Sequence, residues 1–194
     1  MSDNINDLEI IESTLNGNTD AFAVLVEKYK DKTFNIVFRM INDYHETEDI
    51  VQEAFVKAFK ELKNFKIQYK FSSWFFAIAL NIAKNRLKRK SLLKFLSLDR
   101  KKETQDDEIV WEIADNKLTP EEELIKKEEA KKINEFVYEL PINYREVFIL
   151  RNFEDMSYEE ISKITGLPMG TVETRLFRAS KIFSQKYKFF FDVK

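Results

Sequence analysis

The 194 residues contain no cysteine and a single histidine, His45. Disulfides, thiolate metal sites and cysteine nucleophiles are thereby excluded. Glycine and proline occur three times each, far below their combined average of roughly 12% of residues. Turn-dense β architecture needs many more of both, so the composition predicts long helices with few connections. Gly17, Gly166 and Gly170 cannot build a phosphate-cradling loop or a dinucleotide fingerprint. No paired-carboxylate signature singles out a hydrolase, and His45 beside Glu46 and Glu48 reads as a solvated helix-end residue. The N-terminus MSDNINDLEII is acidic and lacks a long apolar run. Neither a signal peptide nor a membrane span is expected, which predicts a cytoplasmic protein without membrane insertion.

The chain is rich in material for packed cores, at 44% hydrophobic with 18 phenylalanines. Its net charge of -2 conceals a segregation. Residues 84–102 carry nine bases against one acid, and residues 103–124 carry nine acids against one lysine. Solvated charge runs in a loop would explain either block alone. Back to back, they fit a basic surface for phosphates followed by a segment that resembles nucleic acid in charge.

Helical periodicity organises most of the chain. A first helix is predicted over residues 7–16, stopped by Gly17. A second starts at a Thr19 cap and runs through AFAVLVEKYK, and a third holds Phe34, Val37, Phe38 and Ile41. A fourth covers residues 47–62, with Val51, Ala54, Phe55, Ala58, Phe59 and Leu62 on its apolar side. A fifth begins near Ser72 and carries WFFAIALNIAKNRLKRK. These form one helical domain, residues 1–95. Residues 96–118 read as a charged linker, although Ile109, Val110, Trp111 and Ile113 are apolar for one. Thr119, Pro120 and Glu122 supply a cap, a first-turn proline and a capping-box acid for the next helix. It ends near Leu140, and INYREVFILRNF follows Pro141 as another. The second domain is thus residues 119–194.

Residues 157–184 read as a helix-turn-helix. Ser157 and Glu160 form an S-x-x-E capping box, Ile161 and Ile164 an apolar face, and Gly166 the turn. Pro168 suits the first position of the next helix. There Val172, Leu176, Ala179 and Phe183 form a buried stripe. Thr171, Thr174, Arg175 and Arg178 share another face, two guanidiniums beside short polar groups, which suits a major groove. Glu173 either accepts from a cytosine amine or points away, and Phe177 lies between core and groove. Two short helices joined by a glycine turn also occur in many all-α proteins without DNA.

Two further surfaces stand out. On the fourth helix Asp49, Gln52, Glu53 and Val56 project away from the core side, suited to Arg or Lys on a partner helix. Read from periodicity alone, they also fit an ordinary acidic surface. On the fifth, Phe75, Ile78, Ala79 and Ile82 form the core side, while Ala77, Asn81, Lys84 and Lys88 fall elsewhere. Tyr69, Phe71 and Trp74 precede or open that helix. Exposed rings can stack bases while amines hold phosphates, and an asparagine can bond a base edge. Of Trp74, Phe75 and Phe76 at least two are expected in the core. Tyr69 and Phe71 are the expected exposed platforms.

The runs EDIVQEAFVKAF, FSSWFFAIALNIAKNRLKRK and LPINYREVFILRNFEDMSYEEISKITGLPMGTVETRLFRA, in this order, resemble an extracytoplasmic-function (group IV) sigma factor of bacterial RNA polymerase. The resemblance implies an all-α protein of sigma-2-like and sigma-4-like domains joined by the charged linker. It implies that Asp49, Gln52, Glu53 and Val56 dock on the β′ clamp helices of the polymerase core. Residues 64–73 and the helix after them would open the −10 element, with Tyr69, Phe71, Trp74 and Asn81 contacting it. Lys84, Arg86 and Lys88, in the basic run 84–90, would hold promoter phosphates. Thr171, Glu173, Thr174, Arg175, Phe177 and Arg178 would read the −35 element, and the same domain would dock on the β flap. Glu173 stands where many relatives carry a base, so no relative's −35 sequence transfers. An anti-sigma factor is the partner the family suggests, and no cofactor or metal is implied. Two other readings remain for the residues themselves. One is an autonomous helix-turn-helix regulator that never joins polymerase. The other is an interaction module whose helix-turn-helix is structural.

Overall fold

The computed structural model describes residues 3–96 and 120–191, and the regular elements among them are helices. In chain order they are α1 (Asp3–Leu15), α2 (Phe22–Ile41), α3 (Tyr44–Glu61), α4 (Phe71–Leu96), α5 (Pro120–Glu139), α6 (Ile142–Asn152), α7 (Tyr158–Thr165) and α8 (Met169–Phe191). The predicted linker and its Thr119 cap fall outside the described residues, apart from residue 96, the last of α4.

Residues 22–41 form one helix rather than the two that the sequence pattern suggests. No glycine or proline interrupts this stretch, so nothing breaks the ladder of backbone hydrogen bonds. Within the polar run, Glu27, Lys28, Asp31 and Lys32 lie in water, while Tyr29 and Thr33 point inward and are buried, the Thr33 hydroxyl donating to the Tyr29 carbonyl at 2.6 Å. Asn42 then ends α2 in the left-handed region, φ 56°, which asparagine tolerates better than most residues. Asp43 starts α3 at once, its carboxylate accepting from the Glu46 N–H at 2.9 Å. The reversal takes two residues and lays α3 against α2.

Phenylalanines fill the space between α2, α3 and α4. Phe75, wholly buried, lies 4.4 Å from the Phe55 ring centroid and stacks on Phe71 at 5.8 Å. Tyr29 closes the group from α2. Its hydroxyl donates to the buried Asp7 carboxylate at 2.5 Å, and the Lys28 amine reaches the same group at 2.9 Å. These two bonds tie α1 to the bundle.

In the second helical group, Val137 of α5, Leu140 just after it, Val147, Ile149 and Leu150 of α6, Ile161 of α7, and Val172 and Ala179 of α8 are buried. The two groups are packed on one another, α6 on α2 and α7 on α4. Arg145 of α6 crosses that seam and donates to the Met40 carbonyl at 2.5 Å. Burial pushes its pKa down from the ordinary arginine value.

Candidate nucleic-acid and polymerase interface

The helix-turn-helix is built locally, as its sequence requires. Ser157 Oγ accepts from the Glu160 N–H at 3.2 Å, and Glu160 Oε2 accepts from the Ser157 N–H at 3.1 Å. Gly166, at φ 70°, closes α7 in the left-handed conformation that costs glycine nothing. The Ser162 hydroxyl donates to the Leu167 carbonyl at 2.6 Å and pins the turn. Pro168 sits one residue before α8 rather than within its first turn, and its carbonyl accepts from the Thr171 and Val172 N–H groups. Val172, Leu176 and Ala179 are buried and Phe183 half-buried, so the stripe read from the sequence is the packing face.

The other face of α8 is open. Glu173, Thr174, Phe177 and Arg178 are exposed, Phe177 at 73%, and Thr171 and Arg175 are half-buried. A cleft of about 500 Å³ separates the first turns of α8 from the start of α6, with Asn143, Tyr144, Thr171, Thr174, Arg175 and Arg178 in its lining. Arg175 donates to the Asn143 carbonyl at 3.4 Å, and Arg178 reaches the Tyr144 hydroxyl at 3.5 Å. Two guanidiniums are thus held at one concave, water-facing surface, which suits an anionic backbone.

On α4, Asn81 and Lys88 are exposed and Lys84 half-buried. Arg86 lies roughly 140° around the helix from Asn81 at 100° per residue. Its guanidinium is 3.3 Å from Glu53 and 4.0 Å from Glu46, so it faces α3. Lys90 also pairs with Glu46. Part of the basic run is therefore neutralised by the acids of α3.

The expectation of Phe71 as an exposed platform is corrected. Phe71 is 2% exposed, stacked on Phe75 and 5.9 Å from the buried Phe65. Phe65 and Phe71 anchor the two ends of a short loop. Trp74 is half-buried against Phe65 at 5.4 Å. The tip between the anchors is exposed, with Ile67 at 73% and Tyr69 at 46%. Ile67 escaped sequence reading because a loop residue has no period to place it. Phe75 and Phe76 are both core, as expected.

On α3, Asp49, Gln52, Glu53 and Val56 are all exposed on one face. Phe59, assigned to the core by its spacing, is 40% exposed and extends that face. Its ring is held edge-on by Phe22 at 5.2 Å. The result is a rigid strip, acidic at one end and apolar at the other.

Of the ion pairs across the seam between the two groups, that of Glu160 is measurable by its effect on stability. Glu160 holds Lys70 at 2.7 Å. That bond, then the Ser157 backbone, hold its carboxyl below the ordinary range. A depressed folded pKa adds stability above the unfolded value of about 4.3, lost as pH falls through the folded pKa. Glu160→Gln keeps the capping box but not the charge. The variant is expected to melt below wild type at neutral pH and to match it once the pH is below both values. Thermal melts followed by circular dichroism across that range check this.

No helix among the described residues is long and apolar enough to cross a membrane, and no group of three metal-ligating side chains is gathered among them. The family model for sigma-70 region 2 matches residues 25–92, and that for sigma-70 region 4 matches residues 131–182. The chain is 34% identical over 168 residues to the ECF RNA polymerase sigma factor SigW of Bacillus subtilis, covering 87% of this chain and 89% of that protein. It is 33% identical over 182 residues to the RNA polymerase sigma-H factor of Pseudomonas aeruginosa, covering 89% of each. In fold it is similar to the sigma factor RpoE of Bartonella quintana, solved with the anti-sigma factor NepR. That match has a TM-score of 0.69 and 18% identity, and covers 86% of this chain and 96% of that one. With both region models matched in order, and such relatives aligned along most of its length, the chain belongs to the extracytoplasmic-function sigma factors of the sigma-70 family.

Proposed function

We propose that this chain is a promoter-specificity subunit that binds core RNA polymerase, reads a −35 element and opens a −10 element. The observation that carries the reading is the presence, on one chain, of three separate exposed faces of the right chemistry. The acidic-apolar strip of α3 suits the β′ clamp helices. The loop tip before α4, with Asn81, Lys84 and Lys88 beyond it, suits an opened −10 strand. The free face of α8 suits the −35 groove, and its domain the β flap. We assign residues 1–95 to the sigma-2-like part, 96–118 to the linker and 119–194 to the sigma-4-like part.

Catalysis in this reading belongs to the polymerase, and the chain works in the cytoplasm. Its work is differential binding. Opening a duplex costs a few kcal/mol per unstacked base, and contacts available only at the right sequence return part of it. Holding both DNA-facing parts on one polymerase makes the second contact effectively intramolecular. Arg86, drawn toward Glu53, serves in this scheme to hold the docking face as much as to meet phosphate. An anti-sigma factor is a further proposed partner, supported by the fold likeness to a sigma factor solved with one.

The direct test is co-purification of the tagged full chain with bacterial core polymerase, free of other sigma factors. A stoichiometric complex is expected, together with weak binding of duplex DNA by the chain alone. Tight duplex binding without any association with polymerase would instead establish an autonomous regulator.

A further inference from the structure

The free face of α8 carries one acid, Glu173, beside its two arginines, and it is exposed. Two ordinary surface roles do not account for it. The residues three and four positions away, where a helix-surface ion pair would form, are Met169, Gly170, Leu176 and Phe177. Glu173 is also the fifth residue of α8, beyond the first turn in which an acid gains from the helix dipole. Among the described residues it has no ion-pair partner. Both guanidiniums are drawn elsewhere. Arg175 lies 3.4 Å from the Asn143 carbonyl and 3.7 Å from Glu146, and Arg178 lies 3.5 Å from the Tyr144 hydroxyl. All three partners belong to α6. At 100° per residue, Glu173 and Phe177 lie on one side of Thr174, and Arg175 and Arg178 on the other. The Thr174 hydroxyl donates to the Gly170 carbonyl at 2.7 Å. Its proton is thus committed, and its oxygen can only accept.

We infer that Glu173 reads a base and selects a C·G pair in the −35 element, with the cytosine amine turned toward its carboxylate. This rests on the proposed function, which lays the face in a major groove. An ionised carboxylate can only accept hydrogen bonds. In that groove guanine offers two acceptors, thymine an acceptor and a methyl, and adenine a donor beside an acceptor. Cytosine alone offers a donor with no acceptor on the same base. Opposite guanine or thymine the carboxylate meets lone pairs, and the phosphates on either side of the groove add to the repulsion. Nothing next to Glu173 relieves a mismatch, because the Thr174 proton is held by Gly170 and the guanidiniums by α6. A wrong base therefore leaves the acid desolvated and unpaired, a cost that exceeds what a correct bond contributes. Glu173 acts mainly by rejection, and the sequence it tolerates is set by the one edge that can donate to it.

The test uses holoenzyme assembled from the full chain and bacterial core polymerase free of other sigma factors. It transcribes a pool of linear templates randomised over the −35 and −10 regions, each identified by a barcode in its transcript. Sequencing gives the preferred base at every position for wild type, Glu173→Ala, Glu173→Gln and Glu173→Arg. Wild type is expected to favour cytosine over each other base by about tenfold at one −35 position. Glu173→Ala is expected to reduce that preference to within about twofold and to leave the −10 preferences as they are. At the same position and on the same strand, Glu173→Gln is expected to turn the preference to adenine and Glu173→Arg to guanine. An amide pairs with N6 and N7 of adenine, and a guanidinium with O6 and N7 of guanine. A −35 motif identical in all four proteins overturns the inference, since Glu173 then points away from the bases. So does a wild-type preference for any base but cytosine at the position that the variants alter. In both cases transcription from the pool leaves the sigma-factor reading standing. If none of the four proteins supports transcription from any template, that reading fails and takes the inference with it.

Discussion

Asp49→Arg combined with Glu53→Arg is expected to remove the chain from its complex with core RNA polymerase. The two residues lie one helical turn apart on α3, and both are exposed. If they meet basic groups on the clamp, reversal replaces two attractions with two repulsions in a partly desolvated interface. Such juxtapositions cost several kcal/mol. A combined loss of about 4 kcal/mol corresponds to roughly a thousandfold in affinity. The fold is affected far less. Glu53 gives up its exposed contact to Arg86 at 3.3 Å, and exposed pairs are worth about 1 kcal/mol at most. Co-purification with core polymerase at equal chain concentrations checks this, with a melting curve to show that the variant is folded. A folded variant that still binds stoichiometrically would place the docking face elsewhere.

Phe75→Ala is the substitution expected to cost most stability. Phe75 has no exposed surface and is surrounded by Phe55, Phe71, Phe76 and Tyr29. Removing the ring loses its transfer free energy and leaves a cavity between three helices that α2, α3 and α4 cannot easily close. Losses for buried Phe→Ala run at about 3–5 kcal/mol. That is a large part of the ~5–15 kcal/mol that holds a typical domain. Urea unfolding followed by helical circular dichroism should show a much lower midpoint at a similar slope. A midpoint within a few tenths molar of wild type would mean that neighbouring rings collapse into the space. The ring geometry argues against that, since Phe71 and Phe75 are nearly parallel and each already packs on other rings.

The legible parts of the chain were those with local causes. The capping box at Ser157, the turn at Gly166 and the buried stripe of α8 each depend on residues within a few positions of one another. So does the outward projection of Asp49, Gln52, Glu53 and Val56 from α3. Periodicity erred where a packing partner decided the outcome. Phe59 has the spacing of a core residue, but α2 offers it only the edge of Phe22, and it stays partly in water. Phe71 precedes a helix in a basic loop and reads as free, but Phe65 and Phe75 enclose it. The single helix over residues 22–41 was hidden by a polar run whose exposed residues, Glu27, Lys28, Asp31 and Lys32, alternate with the buried Tyr29 and Thr33.

What the sequence determined by itself was therefore helix content, the Ser157 capping box and the helix-turn-helix, because short-range sterics and hydrogen bonding specify them, whereas the Thr19 cap was not formed and α2 starts after Ala21 without a side-chain cap. The tertiary structure decided which charges meet. Lys84 and Glu146 are 62 positions apart and Lys70 and Glu160 are 90 apart, and no period connects them. Helix geometry alone keeps Arg86 off the row of Asn81, but only packing decides that its partner is Glu53 of α3. A side chain's face on its helix follows from local geometry, but its partner follows from how whole helices pack, and that depends on every apolar face at once.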